Sequence, residues 1–304
     1  MSRFFFGLFL ISLLLVSLLG ACTSSKTDES MSLPVVFREA QKLYDEEDYL
    51  GAQLELSKLT YTSRATEYED DVQFLLGMSY FKSDQFLLAI DAFQTLMRNV
   101  PSSPYAQEAY FQIAECYYKM SPEPQLDQDY TRRAIIQYQG YIDTYPLPDS
   151  TGVAEEIAEA QELLKNVQET DKKAQVEDVI RRLQNKSKHF ERVKIAEERI
   201  RVCREKLAKK LFDAAEQYVQ LQAYRAATMY YEEVLSKFGD TKYAEPALIG
   251  KIEALIIREK WDDAEYDINR YADAFPEKRV RVEQMRKKMS DAIAASKQAQ
   301  IAED

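Results

Sequence analysis

Small and aromatic residues recur along the chain at helical spacing, in pairs of short amphipathic segments. One pair places Gly77 three residues before Tyr80 and Ala89 four residues before Phe93, and it ends at Pro101. Small residues let two helices cross closely, aromatic residues fill the space beside the crossing, and proline ends the second helix. This pattern predicts a helix–turn–helix pair.

The same spacing returns four more times, so the pair is one unit of a repeat. The other copies carry Ala40, Tyr49, Ala52 and Leu56; Ala114, Tyr117, Ala134, Tyr138 and Pro146; Ala215, Tyr218, Tyr224, Ala227, Tyr231 and Gly239; and Trp261, Ala264, Ile268 and Pro276. Residues 121–124 lengthen the turn of the third pair. The spacing resembles the tetratricopeptide repeat, which implies an all-α superhelical array of about five helix pairs.

A long stretch without glycine or proline interrupts this rhythm between Gly152 and Leu221. Its apolar residues follow a heptad-like spacing, which predicts two long helices in a hairpin insertion, with the break at residues 185–187. Residues 172–210 hold fourteen Lys and Arg against six acidic residues, a net charge of +8. Two interpretations stay open: a solvated helical face, or a basic arm that meets acidic lipid headgroups or an acidic partner.

The sequence predicts six segments. They are a signal peptide over 1–21, a flexible tether over 22–34, N-terminal repeats over 35–150, long helices with the basic insertion over 151–210, C-terminal repeats over 211–276, and a capping helix and tail over 277–304.

The amino terminus has the pattern of a secretory signal sequence. Arg3 is followed by an apolar run over residues 4–19, and the run ends in Leu-Gly-Ala before Cys22. These residues resemble the bacterial lipobox, which implies cleavage before Cys22 and acylation of that cysteine. Two or three acyl chains suffice for stable anchoring. Thr23 after the cysteine is compatible with sorting to an outer membrane, and an uncleaved membrane helix is the alternative.

Composition argues against most catalytic and ligand-binding classes. No GxGxxG or GxxxxGK[ST] pattern occurs, and the only histidine, His189, is expected to be exposed to solvent. A chain with one histidine has little material for a histidine-rich metal site or a catalytic triad. The net charge of −11 speaks against nucleic-acid binding. We therefore expect no enzyme, no metal site and no cofactor beyond the covalent lipid on Cys22.

Two further cysteines, Cys116 and Cys203, fall inside apolar helical patterns in separate repeats. Two buried unpaired thiols are expected from this placement, and a disulfide in an oxidising envelope is the alternative.

Two stretches resemble a known family more specifically. The first runs from Tyr117 to Ile135, and the second joins residues 204–210 to 224–227 and 239–243. Together with the lipobox and the repeats, they resemble the BamD family, lipoproteins of the outer-membrane β-barrel assembly machinery (BAM complex), in its Bacteroidota-like form. The likeness fails around residues 168–197.

The resemblance implies a non-enzymatic scaffold on the periplasmic face of the outer membrane. Its partners would be the POTRA domains of a BamA-like subunit, other BAM subunits and nascent outer-membrane proteins. A different lipidated repeat scaffold, such as a pilotin-like lipoprotein that escorts a secretin, is the alternative. An envelope enzyme that carries a repeat domain is a third class, and it would need a catalytic domain that these residues do not provide.

Candidate binding residues follow from the repeat phase. The first helices of the first three pairs direct towards a groove the side chains of Phe37, Tyr44, Phe74, Met78, Phe81, Phe111 and Tyr118. Aromatic and flexible apolar side chains suit a peptide or helix, although each could equally pack between repeats. For docking to BamA we expect Arg225, Tyr230 and Trp261. Family members often carry Arg where this chain has Tyr230, and Trp261 aligns with a packing position.

Overall fold

The computed structural model describes residues 32–147 and 152–303, and within these ranges it contains twelve α-helices and no strand. The helices are α1 (Leu33–Asp45), α2 (Tyr49–Leu59), α3 (Glu69–Lys82), α4 (Phe86–Asn99), α5 (Ala106–Met120), α6 (Asp129–Thr144), α7 (Val153–Asn166), α8 (Thr170–Gln220), α9 (Tyr224–Lys237), α10 (Ala244–Ile257), α11 (Trp261–Ala274) and α12 (Arg279–Glu303). Among the described helices, none is long and apolar enough to cross a membrane. The predicted signal peptide, Cys22 and most of the predicted tether lie outside the described residues.

The chain divides after Gln85 into two compact units. In the first unit α1 packs on α2 and α2 packs on α3. Ala52 and Leu56 are fully buried there. A buried amide joins the last two helices of this unit, because Gln53 Nε2 donates to the Ser79 carbonyl at 3.0 Å and Gln53 Oε1 accepts from Gln85 Nε2 at 3.1 Å.

In the second unit most helices pack on their neighbours along the chain. Contacts join α4 to α5, α5 to α6, α6 to α8, α8 to α9, α9 to α10, α10 to α11 and α11 to α12, while α7 packs on α8. One core cluster is built around Tyr138 and Tyr141, and a second lies around Tyr231 and Tyr271. The order of contacts is that of stacked tetratricopeptide-type pairs, with α7 added and α12 packed on the last pair.

The small residues at the predicted crossings are buried. Those of the second helices, Ala52, Ala89, Ala134, Ala227 and Ala264, have no exposed surface. The residues four positions later, Leu56, Phe93, Tyr138, Tyr231 and Ile268, are also buried. The repeat phase derived from the sequence is therefore confirmed at these positions.

Four tight turns share one backbone motif, which the sequence did not reveal. Each turn has one non-glycine residue at positive φ, and these are Glu47, Asp84, Gln222 and Glu259. Glu47 and Asp84 are 37 residues apart, and so are Gln222 and Glu259. In each turn the next residue's N–H donates to the carbonyl five residues earlier, as Asp48 does to Leu43 at 2.9 Å. This is the Schellman arrangement that satisfies the last carbonyls of a helix.

The predicted helix stops are confirmed. The helices α4, α6 and α11 end two residues before Pro101, Pro146 and Pro276, and α9 ends two residues before Gly239. In the long third turn, buried Gln128 donates its Nε2 to the carbonyls of Glu123 and Leu126.

The predicted break at residues 185–187 is wrong. The helix α8 runs without interruption over 51 residues, and the chain instead leaves the helix at residues 167–169. Asn and Ser lower helix stability by only a few tenths of a kcal/mol each, so neighbouring contacts override them. The hairpin therefore consists of a short α7 and the first part of α8.

Candidate functional site

The predicted groove side chains of α1 are half-buried and engaged in aromatic pairs. Phe37 meets Tyr68 edge-on with ring centroids 5.7 Å apart, and Tyr44 meets Tyr49 in the same way at 5.4 Å. Burial raises the pKa of Tyr44. These rings contribute to packing and leave only part of their surface for a partner.

On α3, the predicted side chains share one face. Phe74, Met78 and Phe81 follow each other at four and three residues, and all three are half-buried. The first turn of the same helix carries the acidic residues Glu69, Asp70 and Asp71. This face, which we call the α3 face, remains a candidate for binding a peptide.

The prediction that Phe111 lines a groove is wrong. Phe111 is 6% exposed, and its ring packs edge-on against Tyr138 and Tyr141 at 6.0 and 5.4 Å. Phe111 is buried because α8, which lies far away in the sequence, packs on α6 and contributes residues to the core around this ring.

A polar ladder joins α5 to α8. On α8 it uses Arg192, Arg199 and Lys206, which are seven residues apart, and opposite them lie Glu108, Glu115 and Ser121. Residue numbers increase in the same direction in both sets, so the two helices run parallel. Arg199 Nε lies 3.5 Å from Glu115 Oε1, and Lys206 Nζ donates to Ser121 Oγ at 2.8 Å. Polar side chains thus tie the third helix pair to the long helix.

Tyr118 belongs to this ladder. The guanidinium of Arg199 lies 4.2 Å from the centre of its ring, and Arg199 Nη1 donates to the Tyr118 hydroxyl at 3.0 Å. Beside it, the hydroxyl of buried Tyr138 donates to Glu115, and burial together with the Glu115 charge raises the pKa of Tyr138 well above its usual range. The structure therefore gives Tyr118 an internal partner, which its sequence position did not indicate.

The expected exposure of His189 is also wrong. The side chain is 7% exposed, and its Nδ1 lies 2.7 Å from Gln107 Nε2 and 3.0 Å from the Tyr141 hydroxyl. His189 comes nine residues after buried Ile180, so it points to the opposite side of α8, towards α6. Burial raises the pKa of Tyr141 to about 12.

Most of the basic excess of α8 is neutralised within the chain. Eight of the fourteen bases form ion pairs with carboxylates, namely Lys172, Arg181, Arg182, Arg192, Arg199, Arg201, Arg204 and Lys209. Lys206 and Lys210 donate to Ser121 and to the Leu126 carbonyl. The other four, Lys173, Lys186, Lys188 and Lys194, have no acidic partner in the part of the chain that the structure describes.

The predicted docking residues do not form one surface. Arg225 is exposed, whereas Tyr230 is half-buried and stacks on Tyr218 of α8 with ring centroids 5.2 Å apart. Five residues rotate a helix by one turn and about 140° more, so the two side chains point in different directions. Trp261 is half-buried and packs against the C-terminal core.

A cleft that sequence reasoning missed lies between α9, α10 and α11. It measures about 610 Å³ and is lined by Thr228, Met229, Glu232, Lys251, Leu255, Arg258, Asp263, Tyr266 and Asp267. Lys251 Nζ sits 2.7 Å from Glu232 and 2.8 Å from Asp267, which is 1% exposed. Alternating charges on three separate helices look like ordinary solvated faces in a sequence. Only the packing shows that they share one cavity.

Both cysteines of the described residues are free and buried. Burial raises the pKa of the Cys116 thiol to about 12 and that of Cys203 to about 11. The expectation of two unpaired thiols is confirmed, and the disulfide alternative is excluded. No group of three metal-ligating side chains occurs among the residues with described positions.

Comparison with known proteins gives one family match. The model of the YfiO family, described as outer membrane lipoprotein, matches residues 29–191. No curated protein sequence matches the chain. Among solved structures, the P58(IPK) TPR domain is similar at 17% identity over 87% of this chain and 66% of that chain, with a TM-score of 0.32. A tetratricopeptide repeat protein from Parabacteroides merdae ATCC 43184 is similar at 10% identity over 84% of this chain and 97% of that chain, with a TM-score of 0.31.

Proposed function

Because the chain belongs to the YfiO family of outer membrane lipoproteins, we propose that it is a non-enzymatic, lipid-anchored scaffold of the outer-membrane β-barrel assembly machinery. Acyl chains on Cys22 hold it at the periplasmic face of the outer membrane. Its helix pairs dock to the POTRA domains of a BamA-like subunit, contact other BAM subunits, and help nascent outer-membrane proteins to fold and insert.

The family match is the observation that carries this proposal. It spans residues 29–191, more than half of the chain, and includes the helices from α1 to α7. The architecture supports it, since stacked helix pairs present rows of side chains to other polypeptides. In the described residues no helix is fit to span a membrane, and a lipid on Cys22 would supply the attachment.

Two regions of the chain serve the proposed partners. The α3 face offers Phe74, Met78 and Phe81 beside a cluster of carboxylates, which suits an extended or helical segment of a nascent protein. On the C-terminal pairs, exposed Arg225 and partly exposed Tyr230 point in different directions, so each offers a separate contact to the barrel-forming subunit. An aromatic side chain can anchor such an interface in place of an arginine.

Co-purification from detergent-solubilised envelopes tests the proposal. The lipidated chain should bring down the BamA-like subunit, and the Cys22→Ser variant should leave the outer-membrane fraction. If a secretin co-purifies instead of the barrel-forming subunit, the pilotin-like alternative is correct. Enzymatic activity that follows the purified chain through separation would contradict a pure scaffold.

A double variant tests the α3 face. Phe74→Ala with Phe81→Ala should weaken the binding of nascent outer-membrane proteins while the chain stays folded, since the two rings are only half-buried. Leu54→Ala, which removes an exposed side chain of α2, is the matched control. If circular dichroism shows that the double variant unfolds, these rings are core residues and the assignment is wrong.

A further inference from the structure

The cleft between α9, α10 and α11 combines exposed apolar walls with a buried floor. Met229 and Tyr266 stand on α9 and α11 with 67% and 69% of their surface exposed, although both are large and largely apolar. Leu255 of α10, which lines the cleft with them, is 4% exposed. A volume of about 610 Å³ lies within the range of clefts that bind ligands.

Two of the acids in the cleft are neutralised by two bases. Lys251 pairs with both Glu232 and Asp267, and Arg270 Nη1 lies 3.7 Å from Glu232 and 3.8 Å from Asp267. Arg258 donates from Nη1 to the hydroxyl of Thr228 at 3.0 Å, but within the described part of the chain it has no carboxylate within 4.0 Å. A guanidinium has five N–H donors, so most of its capacity remains available.

The remaining acidic group of the cleft is in a different situation. Asp263 is exposed and lies in the first turn of α11, where water and the positive end of the helix dipole stabilise a carboxylate. Arg258 is half-buried and has lost part of its hydration without gaining an opposite charge. Arg258 is therefore the charged group of the cleft with the most to gain from an opposite charge on a partner.

We propose that this cleft binds a polypeptide segment with an acidic residue beside a large apolar residue. The carboxylate pairs with Arg258, and the apolar side chain enters over Leu255 between Met229 and Tyr266. Arginine forms two parallel hydrogen bonds with a carboxylate, and the bond to Thr228 already fixes part of its position. Methionine and tyrosine adapt to partner side chains of different shape.

This inference goes beyond the role in barrel assembly and does not depend on it. The recognition rests on the chemistry of Arg258, Met229 and Tyr266 alone. If no BamA-like partner is found, the peptide selection described below still tests the specificity of the cleft. If that selection fails, the proposed role in barrel assembly is unaffected.

Selection from a phage-displayed library of random 16-residue peptides tests the proposal. The target is the full mature chain with Cys22→Ser, and the counter-selection uses the same chain with Tyr266→Asp. We expect enriched peptides to carry Asp or Glu next to an aromatic or large aliphatic residue. Enrichment of basic peptides, or no enrichment over the counter-selected chain, would overturn the inference.

A charge swap on the best peptide makes the test specific. Arg258→Glu should weaken binding about tenfold or more, the loss expected for one charge-assisted hydrogen-bonded pair. Replacing the acidic residue of the peptide by Lys should restore part of the affinity to this variant. Arg132→Glu, an exposed position on α6, is the matched control and should change nothing. Equal affinity of the parent chain, Arg258→Glu and Met229→Asp for the peptide would refute the proposed site.

Discussion

The two parts of α8 differ in what they contact. In the first part, residues 170–188, Ile180 is buried, and the described contacts of the adjoining hairpin helix α7 are with α8 itself. The second part, residues 189–220, buries His189, Val193, Ala196, Cys203, Ala208 and Ala215. It also packs on α6 and α9 as a repeat helix does.

Their charges differ in the same way. In the first part Lys172, Arg181 and Arg182 pair with acids three or four residues away, and these bases are more than two-thirds exposed. In the second part Arg192 and Arg204 reach acids of α5 and of the turn after α9. A single uninterrupted helix thus combines a solvated arm with a structural element of the array. Helical continuity alone does not indicate a continuous role.

The largest expected difference comes from a charge placed on each part. Ala196→Asp puts a carboxylate at a position with no exposed surface and should destabilise the chain by about 3 kcal/mol or more. Ala174→Asp makes the same change at an exposed position of the first part and should stay within about 0.5 kcal/mol. Urea unfolding monitored by circular dichroism measures both. Similar losses of stability at the two positions would show that the two parts of α8 do not differ in burial.

A smaller difference is expected from removing one arginine in each part. Arg192→Ala leaves Glu108 partly buried without its partner and should cost about 1–2 kcal/mol, because both side chains are less than a quarter exposed and burial lowers the pKa of Arg192. Arg181→Ala removes an exposed ion pair and should cost under about 0.5 kcal/mol. Urea unfolding monitored by circular dichroism also measures the stability of these two variants. An Arg192→Ala variant as stable as the parent would show that the ladder does not hold the two helices together.

The smallest effect concerns pH. The guanidinium of Arg204 lowers the pKa of Asp240 below its ordinary value of 3.8. A depressed carboxyl pKa stabilises the folded state above the unfolded pKa, and the gain disappears as pH falls through the folded pKa. Because Asp240 is more than half exposed, Arg204→Ala should cost only a few tenths of a kcal/mol at pH 7.

Thermal unfolding between pH 2 and pH 7 measures this effect. The gap between the parent and Arg204→Ala should narrow as the pH falls below 3.8, the ordinary pKa of the carboxyl group. Arg98→Ala, which removes a hydrogen bond to Thr95 of the same helix, is the control. A gap that stays constant down to pH 2 would show that the bond of Arg204 to the Lys237 carbonyl, and not the ion pair, supplies the stability.

The repeat phase could be predicted from the sequence because it depends on residues that lie close together in the chain. Small residues such as Ala227, aromatic residues such as Tyr138 and stops such as Pro101 act within one helix pair. The path of α8 could not be predicted, since whether Asn185 breaks a helix depends on packing against α7. Burial of Phe111 and His189 depends on contacts between α5, α6 and α8 that lie far apart in the sequence.

The candidate binding residues could be predicted only in part. Phe74, Met78 and Phe81 share one side of α3, as their spacing indicates, and their role in binding stays a prediction. The cleft at Arg258 needs three helices, so no single segment carries its signature. The predicted docking residues Arg225 and Tyr230 both lie on α9, but a separation of five residues turns them to different sides of the helix, and Tyr230 stacks on Tyr218 of α8.

The proposed role of this chain as a scaffold of the outer-membrane assembly machinery is tested most directly by in-cell photo-crosslinking. A photoreactive amino acid is placed at Tyr230 and, separately, at Phe81, and the captured partners are identified by mass spectrometry. We expect the BamA-like barrel-forming subunit at Tyr230 and nascent outer-membrane proteins at Phe81. Capture of a secretin, or of neither partner at either position, would contradict the proposed role.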